Sequence, residues 1–154
     1  MVKVIDGDIC NAKTDVIVHQ VNCRGVMGSG VAKAIKTKWP FVYQQYMMIC
    51  SQVSPQDLLG KAQPVVISPN KNDFPKFIVN LFGQLNYGRQ NIQYTDIRAL
   101  EDGLQLVYDF AKQYNYSVAM PYKMGCGLGG ADWDKVYRMI LTKFKDVEVE
   151  LWRL

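Results

Sequence analysis

Two glycine-rich stretches, GVMGSG at 25–30 and GCGLGG at 125–130, each follow a short β-branched run and precede an amphipathic one. A chain that passes twice from strand through glycine turn to helix is committed to an α/β architecture, because each crossover helix must pack back on the sheet it left. The remaining segments keep the same alternation. VKVI (2–5), DVIVHQV (15–21), PVVIS (64–68), KFIVNLFG (76–83), SVAMPY (117–122) and VEVELW (147–152) are short, apolar and bounded by turn residues, which predicts strands. VAKAIKTKW (31–39) sets Val31, Ala34, Ile35 and Lys38 at helical spacing, and Pro40 either ends that helix or opens the next one, through residue 52. Ile97, Leu100, Leu104, Val107 and Ala111 form a helical stripe within 94–114, and Trp133, Val136, Ile140 and Phe144 another within 130–144. Trp133, Tyr137 and Met139 are assigned to the core.

No repeat or linker interrupts this pattern, so it predicts one domain over residues 1–154 with a three-layer α/β/α fold and a mixed, mostly parallel sheet. That length buries a sizeable core without covalent staples. Cys10, Cys23, Cys50 and Cys126 contain no CxxC pair and His19 is the only histidine, so no metal site is expected and the thiols read as reduced and buried. Lys3, Asp6 and Asp8 stand where a signal peptide needs an apolar run, and no segment approaches the ~18 apolar residues of a membrane span. A cytoplasmic protein without a membrane partner is the expectation. The formal net charge of +4 is a mild bias toward anionic ligands. It does not indicate nucleic acid, because Lys33, Lys36 and Lys38 read as the solvated face of a helix.

The glycine loops point to a phosphate ligand. Gly125, Gly127 and Gly130 match G-x-G-x-x-G between a strand and a helix, where a bare backbone can approach an anion and helix N-terminal N–H groups face it. A dinucleotide-binding domain would carry that fingerprint in its first βαβ unit, yet here the chain ends at residue 154, too soon for the rest of such a fold. Neither loop ends in the GK[ST] of a nucleoside-triphosphatase. Two such crossings side by side at the C-terminal edge of one sheet suit a diphosphate.

In these features the chain resembles the macrodomain family, which binds ADP-ribose. The resemblance rests on GDI at 7–9, VHQVNCRGVMGSGVA at 18–32, MPYKMGCGLGGADW at 120–133 and the closing ELWRL, in the family's order and across essentially the whole chain. It implies a macrodomain-like fold, and ADP-ribose or a derivative as partner, with no cofactor. By resemblance, Asp8 accepts from the adenine amino group, Ile9 meets the ring through its backbone, and Trp152 lies against adenine. Asn22 contacts the distal ribose. Gly28, Ser29, Gly30 and Val31 form the first diphosphate loop, and Gly125, Cys126, Gly127, Leu128, Gly129 and Gly130 the second. Taken as residues alone, Asp8 also fits a turn cap, Asn22 a strand end and Trp152 ordinary packing.

Family members either only bind ADP-ribose, hydrolyse ADP-ribosyl linkages or dephosphorylate ADP-ribose 1''-phosphate. One hydrolase branch uses a lysine and an aspartate at positions that correspond here to Gln84 and Gly129, so its covalent lysine route has no amine in this chain. The HxxNC strand is similar to the processing type associated with the 1''-phosphate reaction. Asn22 and His19 are therefore the catalytic candidates, His19 because an unperturbed imidazole titrates near ~6.5 and Asn22 because a carboxamide donates and accepts. Three residues apart on a strand, they point to opposite faces unless the strand end twists or bulges. In QLNYGRQNIQY (84–94), Tyr87, Arg89 and Asn91 either cover the distal ribose and a 1''-phosphate or belong to an ordinary loop. A hydrolase acting at the distal ribose is expected, with a non-catalytic ADP-ribose-binding module as the alternative.

Overall fold

The computed structural model describes all residues from Met1 to Leu154. Six strands form one sheet: β1 (Val2–Asp6), β2 (Val16–Asn22), β3 (Ala62–Val66), β4 (Phe77–Gln84), β5 (Val118–Pro121) and β6 (Val149–Arg153), in the order β1-β6-β5-β2-β4-β3. Every neighbouring pair is parallel except β3 with β4, so the sheet is mixed and mostly parallel, as expected. The antiparallel strand is an edge strand, the one place where Pro64 can lack its N–H without cost to the ladder.

Alternation along the central strands divides the core in two. Val16, Val18, Val79, Leu81, Val118 and Met120 face α4 (Ile97–Tyr114) and α5 (Trp133–Lys143), with Leu100, Leu104, Val136 and Ile140 as their partners. Ile17, Val21, Ile78, Phe82 and Ala119 face α1 (Gly30–Lys38), α2 (Pro40–Gln52) and the short α3 (Pro55–Leu58), packing on Ile35, Val42, Tyr46 and Leu58. The layers are α/β/α. Central strands buried on both sides read as continuous apolar runs, which is why VIV and FIVNLF stood out in the sequence.

Element ends follow their caps. α4 starts at Ile97 and not at Tyr94 because the Asp96 carboxylate accepts from the Ala99 amide. α5 starts at Trp133 for the same reason, with Asp132 accepting from Asp134 N. Pro40 opens α2, and Trp39 breaks the chain between α1 and α2 with an extended φ of −128°. The turn of helix at Pro55–Leu58 was not anticipated; its length carries no periodicity to find. No helix is long and apolar enough to cross a membrane.

Two features of this frame position the site. β2 and β5 pair only at Val16↔Val118 and Ile17↔Ala119, so their C-terminal halves diverge. The helix after β2 then lies on one face of the sheet and the helix after β5 on the other. Adjacent parallel strands whose crossovers leave to opposite faces create a crevice at their C-terminal ends. Leu104, fully buried on α4 in the core between that helix and the sheet, tests the packing that holds the frame. Leu104→Ala is expected to lower unfolding free energy by about 2–5 kcal/mol in urea titration, with an unchanged m-value.

Candidate functional site

The crevice is a cavity of about 590 Å³, within the range of small-molecule sites. Both glycine loops line it, through Gly28, Ser29, Gly30 and Val31 on one side and Gly125, Gly127, Leu128 and Gly129 on the other. The floor comes from β2, through His19, Gln20 and Asn22, and the outer rim from Tyr87, Arg89 and Lys123.

What the loops present is unpaired backbone. Ser29 caps α1 in position only, since its side chain makes no capping bond, and the amides of Gly30, Val31 and Ala32 donate to no group of the protein. The amides of Gly127, Leu128 and Gly129 are equally free. These are the orphan donors that make a helix N-terminus or a turn an anion site. Two rows of them border one cavity.

Asn22 is held hard. Its Oδ1 accepts from Arg24 N at 2.8 Å and from the Tyr46 hydroxyl at 2.8 Å, and its Nδ2 donates to Val26 O at 2.8 Å. One N–H remains for a ligand. Tyr46, itself buried, shares its single hydroxyl proton between Asn22 Oδ1 and Asn22 O, the latter at 2.7 Å, and Gly25 N donates to its oxygen at 3.2 Å. The expected conflict between Asn22 and His19 is resolved by a register shift: Val21 pairs with Phe82 but Asn22 with Gln84, and this irregularity turns Asn22 toward the α2 layer that His19 also faces.

His19 is 1% exposed, and burial lowers its pKa to about 4 despite the opposing bond to Asn80. The near-neutral titration expected of it is thereby corrected. Asn80 Nδ2 donates to Gln63 Oε1 at 3.0 Å and Gln63 Nε2 to Gln45 O at 3.1 Å, so Asn80 Oδ1 is the atom that faces the imidazole at 2.6 Å. Nε2 carries the proton, and Nδ1 has no partner.

Several expected residues stand elsewhere. Asp8 caps the 3-10 turn Ile9–Asn11, accepting from Cys10 N at 2.9 Å, and borders a shallower depression with Lys33, Thr37 and Lys38 that shares Gly30 with the main cavity. Ile9 is core. Cys126 and Gly130 do not line the cavity: the Cys126 thiol turns to Met124 O, and Gly130 N closes the loop on Gly127 O. Trp152 is also outside it, its ring against Gly7 and its Nε1 donating to Glu150. Lys38 is exposed, as Lys33 is, and its ammonium also donates to Cys10 O at 2.6 Å. Arg89 and Tyr87, left open between site and loop, line the cavity. Asn91 does not.

Charge at the site is one-sided. No Asp or Glu lines the main cavity, whereas Arg89 and Lys123 do, and Gln84 presents a neutral carboxamide bonded to Gln20 and Asn86. All four cysteines are free, and burial pushes the Cys126 thiol up to about 11, leaving no thiolate nucleophile.

Comparison with known proteins agrees with this geometry. The sequence model of the Macro domain family matches residues 18–140. A DNA ADP-ribosyl glycohydrolase of Mycobacterium tuberculosis is 30% identical over 96% of this chain and 40% of its own length, and an ADP-ribose 1''-phosphate phosphatase of Scheffersomyces stipitis is 30% identical over 99% of both. The chain thus spans two fifths of the mycobacterial relative and nearly all of the yeast one. The macrodomain of Mycobacterium tuberculosis DarG superposes with a TM-score of 0.83 at 28% identity, covering 99% of this chain and 97% of that one. This chain belongs to the macrodomain family.

The His19 environment has a measurable consequence. Its folded pKa of about 4 lies below the unfolded value near ~6.5, so the unfolded state takes up the proton first as pH falls. The neutral ring contributes fully above pH ~6.5, and stability is expected to drop by about 3 kcal/mol as pH falls to about 4. Urea unfolding of the protein and of His19→Asn across that window isolates the effect, because carboxylate titration is common to both and only the native chain should carry the extra slope.

Proposed function

We propose that this macrodomain binds ADP-ribose between its two rows of free amides and hydrolyses a bond at C1'' of the distal ribose. The observation that carries the reading is the pair of unpartnered N–H rows, Gly30 to Ala32 and Gly127 to Gly129, on opposite sides of one cavity. A diphosphate carries charged oxygens on both phosphorus atoms and takes donors from both sides. Adenine then belongs in the depression joined at Gly30, where Asp8 keeps one carboxylate oxygen free of Cys10. The distal ribose belongs toward Asn22 and the rim.

The lining selects the leaving group. No carboxylate is present to activate water, Gln84 offers no amine, and the His19 ring is neutral. A departing base would need a proton donor that these residues do not supply. A carboxylate, or a phosphate that already carries one proton and departs as hydrogen phosphate, leaves as a stable anion and needs none, and Arg89 and Lys123 stand at the rim to hold its charge. The C1''–O bond breaks with its electron pair on the departing oxygen. Asn22 holds a ribose oxygen with its spare N–H, and water adds to C1'' and yields its proton to the departing anion. The activity for which the Scheffersomyces relative is named supports this reading. A module that binds ADP-ribose without turnover is the second reading, favoured by the commitment of Asn22 Oδ1 to Arg24 and Tyr46.

Calorimetry is expected to show ADP-ribose preferred over AMP and NAD. Asp8→Ala should weaken it about tenfold or more, the loss of one charge-assisted hydrogen bond worth ~1.5–3 kcal/mol. The protein should release phosphate from ADP-ribose 1''-phosphate, and Asn22→Ala should reduce turnover more than affinity. Binding without turnover of this substrate or of a carboxylate-linked ADP-ribose selects the binding module, and no binding of ADP-ribose removes both readings.

A further inference from the structure

We propose that Thr95, outside the cavity lining, is a positioning residue that fixes the second glycine loop so that its amides face the ligand. The inference rests on the ADP-ribose reading for its ligand but on independent contacts for its geometry. Thr95 is 3% exposed and sits where the segment after β4 returns to the sheet, bridged to Gln84. Its hydroxyl donates to Gly125 O at 2.7 Å and accepts from Gln20 Nε2 at 2.7 Å. Its own amide and that of Tyr94 both donate to Gly129 O, at 2.9 and 2.8 Å. One residue thus engages a carbonyl at each end of the loop.

The consequence follows from pinning both ends of the loop. The Gly125 and Gly129 carbonyls drawn toward Thr95 cannot turn into the cavity, the amides of the same peptide planes, Cys126 N and Gly130 N, close on Lys123 O and Gly127 O, and the amides held between these ends, Gly127, Leu128 and Gly129, remain without internal acceptors. Carbonyl oxygens turned inward would repel the diphosphate that these amides serve. The fit also dictates a glycine. A Cβ at Gly129 would stand 2.4 Å from Thr95 Oγ1 and 2.6 Å from Gly125 O, and the second of these is backbone that has no room to yield. A side chain at position 129 is therefore incompatible with the loop as Thr95 holds it.

Gln20 completes the arrangement from below. Its Nε2 also donates to Gln84 Oε1 at 2.8 Å, which orients the hydroxyl of Thr95 as acceptor from β2 and leaves its proton for Gly125 O. The network joins β2, the end of β4 and the loop after β5, the three elements around the crevice.

Thr95→Val keeps shape and backbone amide and removes only the hydroxyl, whereas Thr95→Ser keeps the hydroxyl. The expected result is that Thr95→Val weakens ADP-ribose about five- to tenfold while Thr95→Ser stays within about twofold of the native chain. In the ligand-free proteins, amide resonances of Gly127, Leu128 and Gly129 should move in Thr95→Val and hold in Thr95→Ser, with the helix resonances of α4 unchanged in both. Unmoved loop resonances in Thr95→Val, or a serine variant as impaired as the valine one, overturn the proposal. A native chain that does not bind ADP-ribose, with the loop resonances responding as expected, overturns the ligand and leaves the positioning intact.

Discussion

The site depends on the early parting of β2 and β5. After two paired positions the strands separate, because the chain beyond β2 enters helices on one face of the sheet and the chain beyond β5 enters a helix on the other. Backbone groups at the strand ends lose their ladder partners there. Side chains take up part of that backbone, Gln84 donating to Asn86 O and Thr95 to Gly125 O on one wall, and Asn22 bonding Val26 O and Arg24 N and Tyr46 bonding Asn22 O on the other.

What is left unspent decides the chemistry. The carbonyls of Gly125, Gly127 and Gly129 in the second loop are occupied and its central amides are not, while the first turn of α1 lacks the side-chain cap that closes α4 and α5. The recognition surface is therefore largely backbone, which carries partial positive charge without titrating. Charged side chains enter only at the rim. A cavity of this composition stabilises anions well and moves protons poorly, and the burial of its single imidazole strengthens that bias.

Much of this was readable before the fold. Glycine clusters between β-branched and amphipathic runs located both loops, and eight of the ten residues expected there line the cavity: Gly28 to Val31, Gly125, and Gly127 to Gly129. Cys126 and Gly130 fell outside it because a turn alternates the direction of its residues, and Trp152 because its strand packs it on Gly7. Thr95, Asn80 and Tyr46 drew no attention. Their partners lie 30, 61 and 24 positions away, and no local pattern records a hydrogen bond over such separations.

The sequence by itself determined the α/β alternation, the two loops and the absence of a lysine at Gln84, since each depends on residue identity and short-range spacing. Tertiary structure alone decided the protonation of His19, the one spare donor of Asn22 and the direction of the loop amides. Those properties arise from desolvation and from which distant group arrives to take each lone pair, and both come into being only when the layers close on the sheet.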